Sequence, residues 1–384
     1  MPGPRRQAVI VGAGPAGDGV AAGMRDAGFA GDIKLIGAEP EPPYERPHLS
    51  KGYLLGTVAR ERLALRPGAQ YRELAVDLVL GERVSEVDVE HRLVRLESGR
   101  TMPWDVVCIA TGSDARSLPG VDGATYLREL PAAMRLRERV ERGESLRILG
   151  AGFIGCEVAS AARQNGCKVA LHEALEQPLL RVLGPELGAH LAHVHRAHGV
   201  ELHLRSSSLP RPDLVAVGSV PRTGLAERAG LGVDDGIVVD EHGRTSIPDV
   251  FAAGDATRFF SPLFERHIRV EHFQTAQRQG FAVGRVMGGG TEPYVEVPWF
   301  WSDQYDLNLQ YAGAGLPWDR IVVRGELGTP PFTVFYLSGD RLLGAAGIND
   351  HHTVARARRL MEARRSITDQ QLADPSFDFR SAAR

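Results

Sequence analysis

At 384 residues the chain is too long for one simple core, and two or three domains are expected. Apolar residues make up 43%, charged residues 24% and glycine 44 positions, which fits a globular α/β protein and excludes disordered and fibrous classes. A formal net charge of −3 gives no global electrostatic reason to bind nucleic acid or membrane, and no segment approaches the length of a membrane span.

The N-terminus MPGPRRQAVIVGAGPAG carries twin arginines and an apolar run that glycine breaks too soon for a signal sequence. It reads instead as a first strand, Ala8 to Val11, entering a loop and then an alanine-rich helix. Gly12, Gly14 and Gly17 form G-x-G-x-x-G in that setting. The first permits the turn, the second lets backbone approach a pyrophosphate, and the third lets helix and strand pack closely. A tight turn with no ligand is the alternative for the motif taken alone. A second strand, DIKLIG, ends near Glu39, whose carboxylate is placed to accept from an adenosine ribose hydroxyl.

Next come YERPHLSKGYL, residues 44–54, and DVVCIATGSDAR, residues 105–116, a strand running into Ala-Thr-Gly. SLRILGAGFIGCEVASAARQNGCKVALHE then repeats the phosphate-loop pattern at Gly150, Gly152 and Gly155. Its second strand ends at Glu173, an acid that suits a free ribose 2′-hydroxyl and repels a 2′-phosphate, so NADH is expected over NADPH; the neighbouring His172 weakens that preference. AHLAHVHRAHG (189–199) has four histidines but no i, i+4 pair, which argues against a metal site. No zinc-binding or nucleophile-elbow motif occurs, so no metal is expected. In TSIPDVFAAGDATRF (245–259) a strand from Val250 to Ala253 leads to Gly254 and Asp255, a carboxylate able to hold a polyol such as the ribityl chain of a flavin. EHFQTAQRQG (271–280) reads as a helix whose start suits an anion. Cys108, Cys156 and Cys167 form no C-x-x-C and no disulfide framework, which points to a reducing cytoplasm, and they read as small buried residues.

With PYERPHLSK and VPWFWSDQYDLNLQYAG added, these motifs resemble the two-dinucleotide-binding flavoprotein superfamily that contains glutathione reductase. Within it they are similar to ferredoxin reductases of the putidaredoxin reductase type, and the resemblance covers nearly the whole chain. It implies an α/β fold with two Rossmann-like domains and a small C-terminal α/β domain. The FAD domain would be residues 1–117 and 236–300, the NADH domain 118–235, and the C-terminal domain 301–384. FAD would be held by Gly12, Ala13, Gly14, Ala16, Gly17, Glu39, Arg46, Lys51, Val84, Ala110, Thr111, Gly112, Arg116, Gly254, Asp255, Glu271, His272, Phe273 and Trp301. NADH would be held by Gly150, Gly152, Phe153, Ile154, Gly155, Glu173 and Gly218.

The resemblance further implies that Lys51 lies near the flavin, that Glu157 pairs with it, and that Trp301 sits by the flavin's exposed edge. Glu157 also reads simply as an acid favoured by the start of its helix. Thiol-using relatives keep cysteine near the segment 44–54, whereas here none precedes Cys108, so electrons are expected to leave the flavin directly. The chain departs from its relatives at His48, where proline is usual, and at Arg222, where asparagine is usual. Only RSSSLPRP (205–212) separates HGVELHL from DLVAVGSVPR, too little for a further hairpin, so the NADH domain is expected to be trimmed.

The function implied is NADH-dependent reduction, through FAD, of a [2Fe–2S] ferredoxin serving a haem or Rieske-type oxygenase. Arg356, Arg358, Arg359, Arg364 and Arg365, with Arg60, Arg62 and Arg66 as a looser cluster, read either as solvated faces, the usual case for a charge run, or as a site for docking an acidic ferredoxin. Two other readings stay open on sequence: a flavin-dependent oxidase or tailoring oxidoreductase, and a non-catalytic redox-sensing flavoprotein.

Overall fold

The computed structural model describes residues 6–208 and 210–379, which form two compact units. The first takes in Met1–Glu45, Leu63–Asp114 and Val220–Pro298. Its centre is a five-stranded parallel sheet in the order Val250–Ala252, Val106–Ile109, Gln7–Val11, Asp32–Gly37 and Val76–Leu80. The inner strands are near-continuous apolar runs, as a sheet covered on both faces requires, and Val106–Ile109 is buried throughout. The helices Pro15–Asp26 and Phe273–Met287 lie together, and glycine sets their spacing: a Cβ on Gly284 would run into the carbonyl of Val20. Ile10, Met24, Leu35, Phe251 and Val283 belong to the core beneath them.

Two three-stranded sheets complete this unit. Residues 220–235, which the sequence groups with the second nucleotide-binding segment, pack with the first unit instead. Arg222 N–H donates to the Gly112 carbonyl at 2.9 Å, and Arg228 donates to the Ser85 carbonyl at 3.0 Å.

The second unit is built from Arg46–Arg62, Ala115–Ser219 and Trp299–Arg384. It holds a second parallel sheet, in the order Glu201–His203, Val169–His172, Leu146–Leu149, Leu214–Val215 and Thr125–Tyr126. No strand occurs among the described residues between His203 and Leu214. An antiparallel sheet follows, in the order Trp299–Gln304, Leu307–Gly313, Arg341–Ile348, Thr329–Ser338 and Arg320–Glu326. The helix His351–Glu362 packs on it, capped by Asp350, whose side chain accepts from Thr353 N–H.

Candidate functional site

In the first unit the glycine-rich loop has the geometry its spacing implies. Gly12 has φ of 121°, and a side chain there would strike the Ala110 carbonyl. A Cβ on Gly17 would strike the carbonyl of Gly12, so only glycine lets the helix sit this close to the strand end. Gly14 differs: a Cβ built on it meets nothing within 4 Å, and no side chain caps the helix it begins. An open backbone in front of uncapped helical N–H groups suits a pyrophosphate. Ala13 borders the loop, while Ala16 is buried against Gly254, whose φ of 80° again requires glycine. The cradle fits the diphosphate of FAD.

Around that loop, the Tyr44 hydroxyl donates to Glu39 at 2.6 Å and fixes its carboxylate. Gln279, 2% exposed, accepts from Gly254 N–H at 2.8 Å and so sets the turn carrying Asp255. Ser113 donates to Asp255 at 3.5 Å. The Thr111 hydroxyl is engaged with the Arg222 carbonyl at 2.8 Å, beside Gly112, and the Arg222 guanidinium is paired with Asp114 at 2.5 Å. His272 begins the helix that continues through Phe273; burial pushes its imidazole down to about 4, so it is neutral. Glu271 pairs with Arg269, and Val84 is buried at the start of an antiparallel strand.

The second unit repeats the phosphate-loop construction. Gly150 has φ of 103°, a Cβ on Gly155 would meet the Gly150 carbonyl, and the helix starting at Phe153 and Ile154 is uncapped after Gly152. Glu173 accepts from Ala151 N–H at 2.7 Å and from Leu175 N–H at 3.0 Å, so the acid braces the loop itself. His172 hydrogen-bonds Ser206 at 2.9 Å and stacks on His203 with ring centroids 4.3 Å apart. Arg116 N–H donates to the Gly218 carbonyl at 2.9 Å, and Arg46 donates to the Arg128 carbonyl at 2.7 Å. Trp301 is half-buried beside Trp299, with ring centroids 5.9 Å apart.

Lys51 and Glu157 meet in this unit at 2.8 Å, with side chains only 12% and 4% exposed. Glu157 is therefore more than a helix-start acid. Its carboxylate also accepts from the Ser50 hydroxyl at 2.5 Å and the Ser302 hydroxyl at 2.6 Å. Lys51 also reaches the Pro47 carbonyl at 3.4 Å, so two of its three donors are engaged. Sequence reasoning missed both serines: Ser302 follows Trp301 by one residue and faces the other side of its strand.

Arg66, grouped on sequence with Arg60 and Arg62 as a solvated or docking cluster, has a buried partner instead. It binds Asp18 at 2.7 Å, and Asp18 is 1% exposed and also accepts from Tyr71 at 2.8 Å. A charged residue in the glycine-loop helix needs a counter-charge once buried, and Arg66 supplies it. All three cysteines are free and buried, and burial raises the thiols of Cys108, Cys156 and Cys167, which disfavours reactive thiolate. No helix of the described residues is long and apolar enough to cross a membrane.

Residues 6–208 and 214–280 match the family described as pyridine nucleotide-disulphide oxidoreductase, and residues 299–383 match that described as reductase C-terminal. The chain is 39% identical to the ferredoxin–NAD(+) reductase component of the anthranilate 1,2-dioxygenase system of Burkholderia cepacia, over 97% of this chain and 98% of that one. It is 35% identical to putidaredoxin reductase of Pseudomonas putida, over 96% of this chain and 93% of that one. In structure it is similar to the reductase in the covalent putidaredoxin reductase–putidaredoxin complex, with a TM-score of 0.93, 33% identity, and coverage of 99% and 98%.

Proposed function

The chain belongs to the pyridine nucleotide-disulphide oxidoreductase family, and we infer that it acts as an FAD-dependent NADH:ferredoxin oxidoreductase serving an oxygenase. The observation that carries the reading is the pair of uncapped glycine loops, together with three cysteines that are all buried. Two dinucleotides are provided for, and no accessible thiol stands ready to take electrons.

When bound, FAD supplies hydride acceptance from a nicotinamide and release of electrons one at a time. The chain's residues divide the remaining work. The loop at Gly12, Gly14 and Gly17 offers backbone N–H groups to the diphosphate, Tyr44-held Glu39 takes the adenosine ribose, and Asp255 takes the ribityl chain. The loop at Gly150, Gly152 and Gly155 does the same for NADH, where Glu173 favours a 2′-hydroxyl over a 2′-phosphate. With FAD bound, Lys51 would supply positive charge to its ring, and Glu157 holds the ammonium in place. His272, neutral through burial, begins the helix assigned to the pyrimidine end of the ring. Trp301 is assigned to the exposed edge, where electrons leave.

The partner is a [2Fe–2S] ferredoxin. Its finer description, an acidic protein met by Arg359 and its neighbours in a cytoplasmic setting, is supported by the exposed Arg359 on the helix His351–Glu362, the exposed Arg364 and Arg365 just after it, and the free thiols. The test is anaerobic rapid mixing of the purified protein, loaded with FAD, with NADH and then NADPH. Fast bleaching by NADH is expected. Bleaching by neither would remove the reductase reading and direct attention to an organic substrate that reduces the flavin.

A further inference from the structure

A chain of buried polar side chains continues from Glu157 well past the Lys51 pair. Ser302 is 0% exposed, Gln304 2% and His195 0%. Gln304 Nε2 lies 3.1 Å from Ser302 Oγ, His195 Nε2 lies 3.0 Å from Gln304 Oε1, and the Tyr305 hydroxyl lies 3.2 Å from His195 Nδ1. Groups from the segment carrying Lys51, two helices and the hairpin that starts at Trp299 thus converge on one carboxylate.

The direction of the chain follows from its end. An ionised carboxylate only accepts, so Ser302 spends its single proton on Glu157 at 2.6 Å. Ser302 Oγ is then an acceptor toward Gln304, which must turn its amide nitrogen to the serine and its carbonyl oxygen to His195. That oxygen requires a proton on His195 Nε2. Burial pushes His195 down to about 4, so the ring is neutral and Nδ1 is bare. Burial also raises the Tyr305 phenol, which keeps its proton and donates to Nδ1. Every link donates toward Glu157.

Tyr305 is pinned for this task. It has φ of 57°, uncommon for a bulky residue, and its backbone N–H donates to Ser160 at 2.7 Å. Ser160 and Glu157 lie three residues apart on the helix Phe153–Gln164, so one helix face anchors both ends of the chain.

We propose that Ser302, Gln304 and His195 are positioning residues for hydride transfer, forming a one-way chain of hydrogen-bond donors, ending in Tyr305, that holds the Glu157 carboxylate on Lys51. The inference rests on the reading of Lys51 and Glu157 as the pair that serves the flavin. His195 acts by settling the orientation of Gln304. Without its N–H, the amide is free to turn its carbonyl toward Ser302. The serine proton then goes to Gln304, and Glu157 loses a donor.

The test compares Gln304→Leu, His195→Leu and His195→Gln with Glu157→Gln, in protein loaded with FAD. Rapid mixing with NADH should show flavin reduction slowed about tenfold in His195→Leu, with the NADH concentration for half-maximal rate changed by less than about twofold, whereas Gln304→Leu, which has no carbonyl to take the serine proton, should stay within about twofold of the parent. His195→Gln keeps an N–H donor and should restore the rate to within about twofold of the parent. Reduction by dithionite and flavin content should match the parent, which separates positioning from misfolding.

An independent readout is the ¹⁵N spectrum of histidine-labelled protein at neutral pH, with His195 assigned by difference against His195→Gln. A neutral ring protonated at Nε2 is expected. A proton on Nδ1, or an unaltered reduction rate in His195→Leu while Glu157→Gln is slow, would overturn the proposal. An unaltered rate in Glu157→Gln would instead overturn the assignment of the Lys51–Glu157 pair.

Discussion

Removal of the charge on Glu157 tests the pair at the centre of the second unit. At a separation of 2.8 Å, the gross attraction between Lys51 and Glu157 is ~6 kcal/mol at an effective dielectric of about 20. Burial of both groups offsets much of that, so the net coupling is expected at about 1–3 kcal/mol. Glu157→Gln keeps the shape but leaves the ammonium without a counter-charge and forces the Ser50 and Ser302 hydroxyls to share one acceptor oxygen. A loss of about 3–5 kcal/mol is expected. Lys51→Met leaves the carboxylate two hydroxyl donors and should cost less. In the double variant the stranded ammonium is gone, so part of the loss returns. Urea unfolding followed by tryptophan fluorescence in the four proteins yields the coupling. A coupling below about 0.5 kcal/mol would show that the pair is no more than a surface-type contact, and the reasoning from burial would be wrong.

Three other predictions are separable from this one. The depressed pKa of His195 makes stability depend on acid: the unfolded chain takes up a proton as pH falls through about 6.5, and the folded chain only near 4. This contribution is intact above about pH 6.5 and is lost toward pH 4, by up to about 3 kcal/mol, so His195→Gln should flatten unfolding free energy against pH in that window. Arg66→Ala should destabilise the protein by about 3 kcal/mol through the stranded Asp18 carboxylate, leaving the salt dependence of ferredoxin reduction intact. Arg359→Glu, at an exposed position, should do the reverse, slowing reduction of an acidic ferredoxin most at low salt with stability within about 0.5 kcal/mol of the parent.

The parts of the fold that were legible in sequence depend on local constraints. The strand DIKLIG occupies Asp32–Gly37 as read, because an apolar run between glycine-rich turns specifies a buried strand within a few residues. The strand expected over Val250–Ala253 ends at Ala252, and the helix expected over 271–280 continues to Met287. Gly12, Gly14 and Gly17 were legible because the absence of a side chain is itself the signal.

The support for Glu157 was not legible. Ser302 and His195 are ordinary residue types, and Ser302 reaches Glu157 across 145 positions of sequence, so no spacing marks the contact. Arg66 was misread for a related reason: a run of arginines gives no sign that one faces a buried acid. The clue lay at Asp18, an acid within PAGDGVAA, where the neighbours are small and the helix face is buried.

The account turns on electrons leaving the flavin for an iron–sulfur partner without passing through a thiol. The direct measurement is anaerobic incubation of NADH, oxidised [2Fe–2S] ferredoxin and a small amount of the alkylated enzyme, following the electron paramagnetic resonance of the reduced cluster. The account predicts that the signal appears with many turnovers and is undiminished by alkylation. Flavin reduced by NADH while the cluster stays oxidised, or turnover abolished by thiol alkylation, would contradict it.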